Sequence, residues 1–177
     1  MKYGKIILGS LIAALASSSY AATKANSVDF TLGGGYAYFS SKRHIQNAGV
    51  GFGALAYNFT NHWGIEGLLG GFNSKSNYTN TYHQQVKGAM FAIDGLYHFS
   101  YSPSLEPYLL AGVGVIGLNP SGNEAHNQGN INAGVGLQWF VNQVVAFRVE
   151  GRDFYTITGG KNDVMIDAGL KFIWDLC

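Results

Sequence analysis

The chain has 177 residues, a formal net charge of +1 and only 12% charged side chains, which argues against a nucleic-acid-binding surface. Its one cysteine, Cys177, excludes an internal disulfide. With 25 glycines and 14% aromatic residues, against about 7% glycine and about 25% charge in ordinary globular chains, the composition suits a chain whose outside is not water.

The first residues, MKYGKIILGSLIAALASSSYAATK, place Lys2 and Lys5 before an apolar run from Ile6 to Ala16 and end in small residues around Ala21 and Ala22. This is the layout of a cleaved secretory signal peptide, assigned to residues 1–22. The run is shorter than the roughly 20 residues a spanning helix needs. No cysteine adjoins the cleavage site, so a lipoprotein anchor is not expected. Residues 23–177 then form one domain. Removing Lys2 and Lys5 from eleven basic residues leaves nine against ten acidic ones, a mature charge of about −1. No window of this part holds 18 unbroken apolar residues, so transmembrane helices are excluded.

Side chains of a strand alternate between two faces, and period-two segments recur along the chain. Val28–Phe39 sets Val28, Phe30, Leu32, Tyr36 and Tyr38 against Asp29, Thr31, Gly33, Gly35 and Ala37. Gly49–Phe59 is a second strand, too rich in Gly and Ala to assign its faces. Trp63–Phe72 sets Trp63, Ile65 and Leu69 against Glu66. Lys87–Phe99 sets Phe91, Ile93, Tyr97 and Phe99 against Asp94 and His98. Pro107–Leu118 is apolar and Gly-rich, with its facing open. Asn130–Val141 sets Ile131, Ala133, Val135, Leu137 and Trp139 against Asn132, Gly134, Gly136 and Gln138. Val144–Tyr155 alternates Phe147, Val149 and Gly151 with Arg148, Glu150 and Arg152. Asp163–Trp174 sets Val164, Ile166, Ala168, Leu170, Phe172 and Trp174 against Asp167, Gly169 and Lys171.

These are eight strands, each near the roughly 9–11 residues that cross a bilayer at a tilt. Long polar connections follow the odd strands: Ser40–Ala48, Asn73–Val86, Asn119–Gly129 and Thr156–Asn162. The even strands are followed by Thr60–His62, Ser100–Glu106 and Asn142–Gln143, two of them tight. Alternating long loops and short turns mark an outer-membrane barrel. Tyr57, Phe59, Trp63, Tyr97, Phe99, Trp139, Phe172 and Trp174 cluster at strand ends and predict an aromatic girdle on the short-turn rim.

The fold class expected is therefore all-β, an eight-stranded antiparallel transmembrane up-and-down barrel. Its apolar face meets lipid, and its charged face looks into a lumen narrow enough to be filled by side chains. Glu66, Asp94, Arg148, Glu150, Arg152, Asp167 and Lys171, with Asp29 a further candidate, are the expected lumenal ion-pair network. An unpaired charge there would cost several kcal/mol. The network reads as a structural plug, with a gated ion path as the alternative.

The whole mature chain resembles the small eight-stranded outer-membrane barrels, especially the OmpA-like transmembrane domain. The residues that carry the resemblance are PYLLAGVG at Pro107–Gly114, NAGVG at Asn132–Gly136 and RVEGR at Arg148–Arg152. The last strand, Asp167–Trp174, is similar to the signal read by the barrel assembly machinery, with Gly169, Phe172 and Trp174 at the positions that matter. Asp175, Leu176 and Cys177 follow the terminal aromatic, where members of the family often end. The periplasmic peptidoglycan-binding domain of the larger relatives is missing from this sequence, so anchoring to the cell wall is not implied. The resemblance implies a bacterial outer-membrane location.

Other constellations are weaker. His44, His83 and His126 fall in separate loops without ligand spacing and read as solvated, so no metal or other cofactor is expected. His98-Phe99-Ser100 is similar to the HxS of lipid A deacylase barrels, with Glu106 or Glu124 as acid, but it lies on the short-turn rim, and no enzyme is expected. Gly33–Gly35 and Gly159–Gly160 precede no helix and are not phosphate loops. The expected role is structural or surface interaction, with polar loops such as NSKSNYTNTYHQQ serving envelope integrity, adhesion or host contact. A narrow porin-like channel for ions or small solutes is the alternative. The expected partners are outer-membrane lipid or lipopolysaccharide, the assembly machinery and a host surface ligand; nucleic acid is not among them.

Overall fold

The computed structural model describes residues 22–77, 84–100, 102, 104–120 and 126–176. The first 21 residues, which carry most of the expected signal peptide, lie outside them, as do His83, Glu124 and Cys177. Eight strands follow in chain order: β1 (Ser27–Tyr38), β2 (Ala48–Asn58), β3 (Trp63–Lys75), β4 (Gln85–His98), β5 (Leu105–Pro120), β6 (His126–Phe140), β7 (Val145–Thr156) and β8 (Lys161–Asp175). Each pairs antiparallel with the next, and β1 pairs with β8 from Ser27↔Asp175 to Tyr38↔Val164, closing the barrel. Closure leaves no strand edge, so the ladder can satisfy its own backbone groups in hydrocarbon.

Residues that alternate in the sequence alternate in exposure. In β7, Phe147 and Val149 are 48% and 54% exposed, whereas Arg148, Glu150 and Arg152 are 1–2% exposed. Ile166 and Leu170 of β8 face outward, and Asp167 and Lys171 between and beyond them face inward. The two strands of open facing resolve by size. In β2, Val50 and Phe52 point inward and Leu55 outward. In β5, Tyr108 and Leu110 point inward and Leu109 and Val113 outward.

The short-turn end is tied locally. Trp63 O accepts from Phe59 N at 2.9 Å, closing the β2–β3 turn. Asn142 Oδ1 accepts from Val144 N and Val145 N, both at 2.8 Å, and closes the β6–β7 turn. Around this rim the aromatics meet ring to ring: Tyr57 with Phe59 at 5.2 Å, Trp63 with Tyr97 at 4.8 Å, Tyr97 with Phe99 at 4.9 Å.

The lumen is filled throughout, and not only by small residues and charges. Toward the long-loop end it holds an apolar core: Phe52, Leu68, Phe72, Val86, Met90, Ile116, Phe154 and Met165. Two glycines exist to make room. A Cβ on Gly88 would enter the Phe72 ring, and one on Gly136 would enter the Tyr108 ring.

Candidate functional site

The barrel interior carries the chemistry, stacked in layers from the short-turn end. At the mouth, Glu106 gathers Thr23, whose backbone N–H reaches Oε2 at 3.1 Å and whose hydroxyl reaches Oε1 at 2.6 Å. His98 Nδ1 lies 3.0 Å from the same carboxylate. Gln138 donates to Thr23 Oγ1 and Glu106 Oε1 at 2.9 and 2.5 Å. Lys171 completes this layer by donating to Gln138 Oε1 at 2.8 Å and pairing with Asp29 at 2.7 Å. Asn58 donates to Asp29 Oδ2 at 2.8 Å. Thr23 thus stoppers the mouth, 5% exposed.

Above it lies the ion-pair belt. Arg148 forks onto Glu66, through Nη1 to Oε2 and through Nη2 to Oε1 at 2.9 Å, and reaches Glu150 Oε2 at 2.5 Å. Arg152 donates to Glu150 Oε1 at 2.8 Å, Asp94 Oδ2 at 2.6 Å and Glu66 Oε1 at 3.3 Å. Tyr108 donates its hydroxyl to Glu150 Oε2 at 2.6 Å, and the Arg148 guanidinium lies 5.5 Å from its ring centre. Charge-assisted bonds of this kind are short and geometrically demanding.

Of the seven sequence-predicted lumenal residues, the structure links five directly: Glu66, Asp94, Arg148, Glu150 and Arg152. Lys171 belongs instead to the mouth layer. Asp167 is 2% exposed, yet neither of its oxygens meets a hydrogen-bond donor among the described residues. The belt therefore holds four carboxylates (Glu66, Asp94, Glu150, Asp167) against two guanidiniums (Arg148, Arg152).

At the long-loop end, the β1–β2 connection turns through a short 3-10 stretch (Ser41–Arg43) and drops Arg43 into the mouth, 7% exposed. Its Nε reaches both oxygens of Asp163 at 2.8 and 2.7 Å, Nη1 reaches Gln128 at 2.9 Å, and Nη2 reaches Thr156 at 2.6 Å. The same loop pairs Ile45 with Ser76 and packs Phe39 on Phe72 at 4.8 Å. Sequence reasoning missed this latch and the Thr23 stopper. A lone arginine in a loop and a threonine outside the strands carry no periodic signal.

The structure brings His98 to Glu106, but Ser100 is exposed beyond the end of β4, and among the described residues no hydrogen bond joins Ser100 to His98. His44 and His126 are exposed at the long-loop end.

A closed eight-stranded antiparallel barrel with an apolar outer wall, an aromatic rim and a charged lumen defines a small outer-membrane barrel protein. A family model, that of the OprF membrane domain, matches residues 2–175, and the chain belongs to that family. Among solved structures, the N-terminal β-barrel domain of Pseudomonas aeruginosa OprF superposes with a TM-score of 0.63 at 21% identity, covering 85% of this chain and 98% of that one. Pseudomonas aeruginosa OprG superposes with a TM-score of 0.65 at 13% identity, covering 88% and 100%. Ail, the attachment invasion locus protein of Yersinia pestis, does so with a TM-score of 0.58 at 13% identity, covering 85% and 99%. These likenesses show the fold. No curated protein matches the chain.

Proposed function

We propose that the protein is a structural and surface-interaction barrel of the bacterial outer membrane, delivered by a cleaved signal peptide. It is a plugged, rigid cylinder that holds its four long loops outside the cell for envelope integrity, adhesion or host contact. The observation that carries this reading is the continuous filling of the lumen. Thr23 and Glu106 close one mouth, the belt and apolar core fill the middle, and Arg43 on Asp163 closes the other. A cylinder so filled has little to transport and serves best as a mount for loops. The role that Ail's description gives it, attachment, is one such use of this fold. Folding would proceed through recognition of β8 by the assembly machinery at Gly169, Phe172 and Trp174.

The experiment is cell adhesion. Cells bearing the barrel with the 77–84 segment shortened should bind a host surface less than cells bearing the full loop. Equal binding at equal surface display refutes the adhesive role.

One observation favours a narrow channel as the second reading. Asp167, both polar atoms of Asn132 and the Oδ1 of Asn130 are buried without hydrogen-bond partners among the described residues, as in a hydrated interior. Single-channel steps in a planar bilayer that change size on Arg148→Gln would establish it; a silent bilayer removes it.

A further inference from the structure

The outer wall changes character near the long-loop end. Going up each strand on the outward face, Leu69 and Gly71 give way to Asn73 and Lys75 in β3. Phe91 and Ala89 give way to Lys87 and Gln85 in β4. Val115 and Gly117 give way to Asn119 in β5. Asn73, Lys87 and Asn119 share one register row, and Asn127 of β6 pairs with Gly117 just beneath it. This is a polar collar immediately above the apolar band, at the height of lipid headgroups.

The collar is hollowed. Lys87, Ala89, Gly117, Asn119 and Asn127 line an open depression of about 280 Å³ on the outer wall. Its floor is Ala89 and Gly117, with the Asn127 carboxamide lying against Gly117; its upper edge offers the Lys87 ammonium and the Asn119 carboxamide. Among the described residues, neither Lys75 nor Lys87 has a carboxylate partner, in contrast to Lys24 on Asp175 at the opposite end. The long-loop rim carries, among the described residues, Lys42, Arg43, Lys75, Lys87 and Lys161 against Asp163, with Asp153 lower on the wall. Lys87 beside amide donors at the edge of a groove that accepts hydrocarbon, with Lys75 one diagonal register step away on β3, complements a phosphate borne on an acyl chain.

We propose that this collar is a binding site for the phosphate group of an outer-leaflet glycolipid, seated with the phosphate on Lys87 and Lys75, the amides of Asn119 and Asn127 as further donors, and one acyl chain lying over Ala89 toward Phe91. The proposal rests on the reading that the long-loop end faces outside the cell. Protease cleavage of the short turns rather than the long loops on intact cells would remove that reading, whereas the binding assay below addresses the site alone.

The test uses the purified full barrel in zwitterionic detergent and native mass spectrometry. The probes are diphosphorylated lipid A, the same lipid with its phosphates removed, and inorganic phosphate. Wild type should retain the diphosphorylated lipid at least tenfold more strongly than the dephosphorylated one. Lys75→Gln/Lys87→Gln should lose that preference, Lys87→Gln alone should lose part of it, and Lys24→Gln should keep it. All these side chains are exposed, and unheated gel mobility checks that each variant is folded. Unchanged lipid retention in the double variant, or equal retention of the dephosphorylated lipid, overturns the proposal. Displacement of the lipid by equimolar inorganic phosphate assigns the collar to free phosphate and overturns the glycolipid.

Discussion

Replacing Arg148 by methionine keeps much of the side-chain volume in the belt and removes its guanidinium. Glu66 then loses its fork and retains only Arg152 at 3.3 Å, while Glu150 retains Arg152 at 2.8 Å and Tyr108 at 2.6 Å. The belt goes from four carboxylates against two cations to four against one. Breaking a buried pair from one side costs about 3–5 kcal/mol, because a charge is left without compensation. At 4 kcal/mol the folding equilibrium shifts by roughly a thousandfold. The count also predicts an asymmetry: Glu66→Gln leaves three carboxylates against two cations and should cost less than half as much. The assay is urea unfolding of the barrel in lipid vesicles, followed by mobility on an unheated gel. An Arg148→Met loss under 1 kcal/mol, or a Glu66→Gln loss equal to it, would refute the charge-excess reasoning.

The same count makes Asp167 the dispensable member. Asp167→Asn should leave stability within about 0.5 kcal/mol of wild type or raise it, in the same urea assay, and a loss above about 2 kcal/mol would mean that the carboxylate has a partner. Arg43→Ala deletes the latch on Asp163, Gln128 and Thr156. It should cost about 1.5–3 kcal/mol and open the 39–47 loop to protease, read by cleavage of the reconstituted barrel. Gly136→Ala drives a methyl into Tyr108 and should displace its hydroxyl from Glu150, lowering the urea midpoint as far as Tyr108→Phe or further.

The barrel was legible because its outer wall is simple. Lipid demands apolar side chains at every second position, so Phe147, Val149, Ile166 and Leu170 announce both strand and facing. Legibility fails where lipid does not set the rule. β2 carries small residues on both faces, and its facing is fixed by Val50 and Phe52 inward against Leu55 outward, with the Phe52 ring lying over its register partner Gly33. The strands rise above the bilayer into polar stretches such as Asn73–Lys75 and His126–Gly129, which read as loop in sequence. The charged belt residues could be named, but not partitioned. That Lys171 serves Asp29 and Gln138, while Asp94 is left to Arg152, depends on how strand tilt sets heights in the lumen, which alternation does not encode. The apolar core of Leu68, Phe72, Met90 and Met165 was hidden for the same reason. Leu68 and Phe72 come from β3, Met90 from β4 and Met165 from β8, so each strand contributes only one or two of these inward apolar residues.

The central claim is that the apolar wall of this cylinder meets hydrocarbon while its charges are sealed inside. The three tryptophans test it without any label, since Trp63, Trp139 and Trp174 stand 57%, 60% and 52% exposed on the short-turn rim. With the barrel reconstituted in vesicles containing brominated phospholipids, their fluorescence should be blue-shifted, quenched most by bromines set high on the acyl chain near the headgroups, and insensitive to aqueous iodide. Red-shifted emission that iodide quenches and bromolipid leaves untouched would place that wall in water and contradict the account.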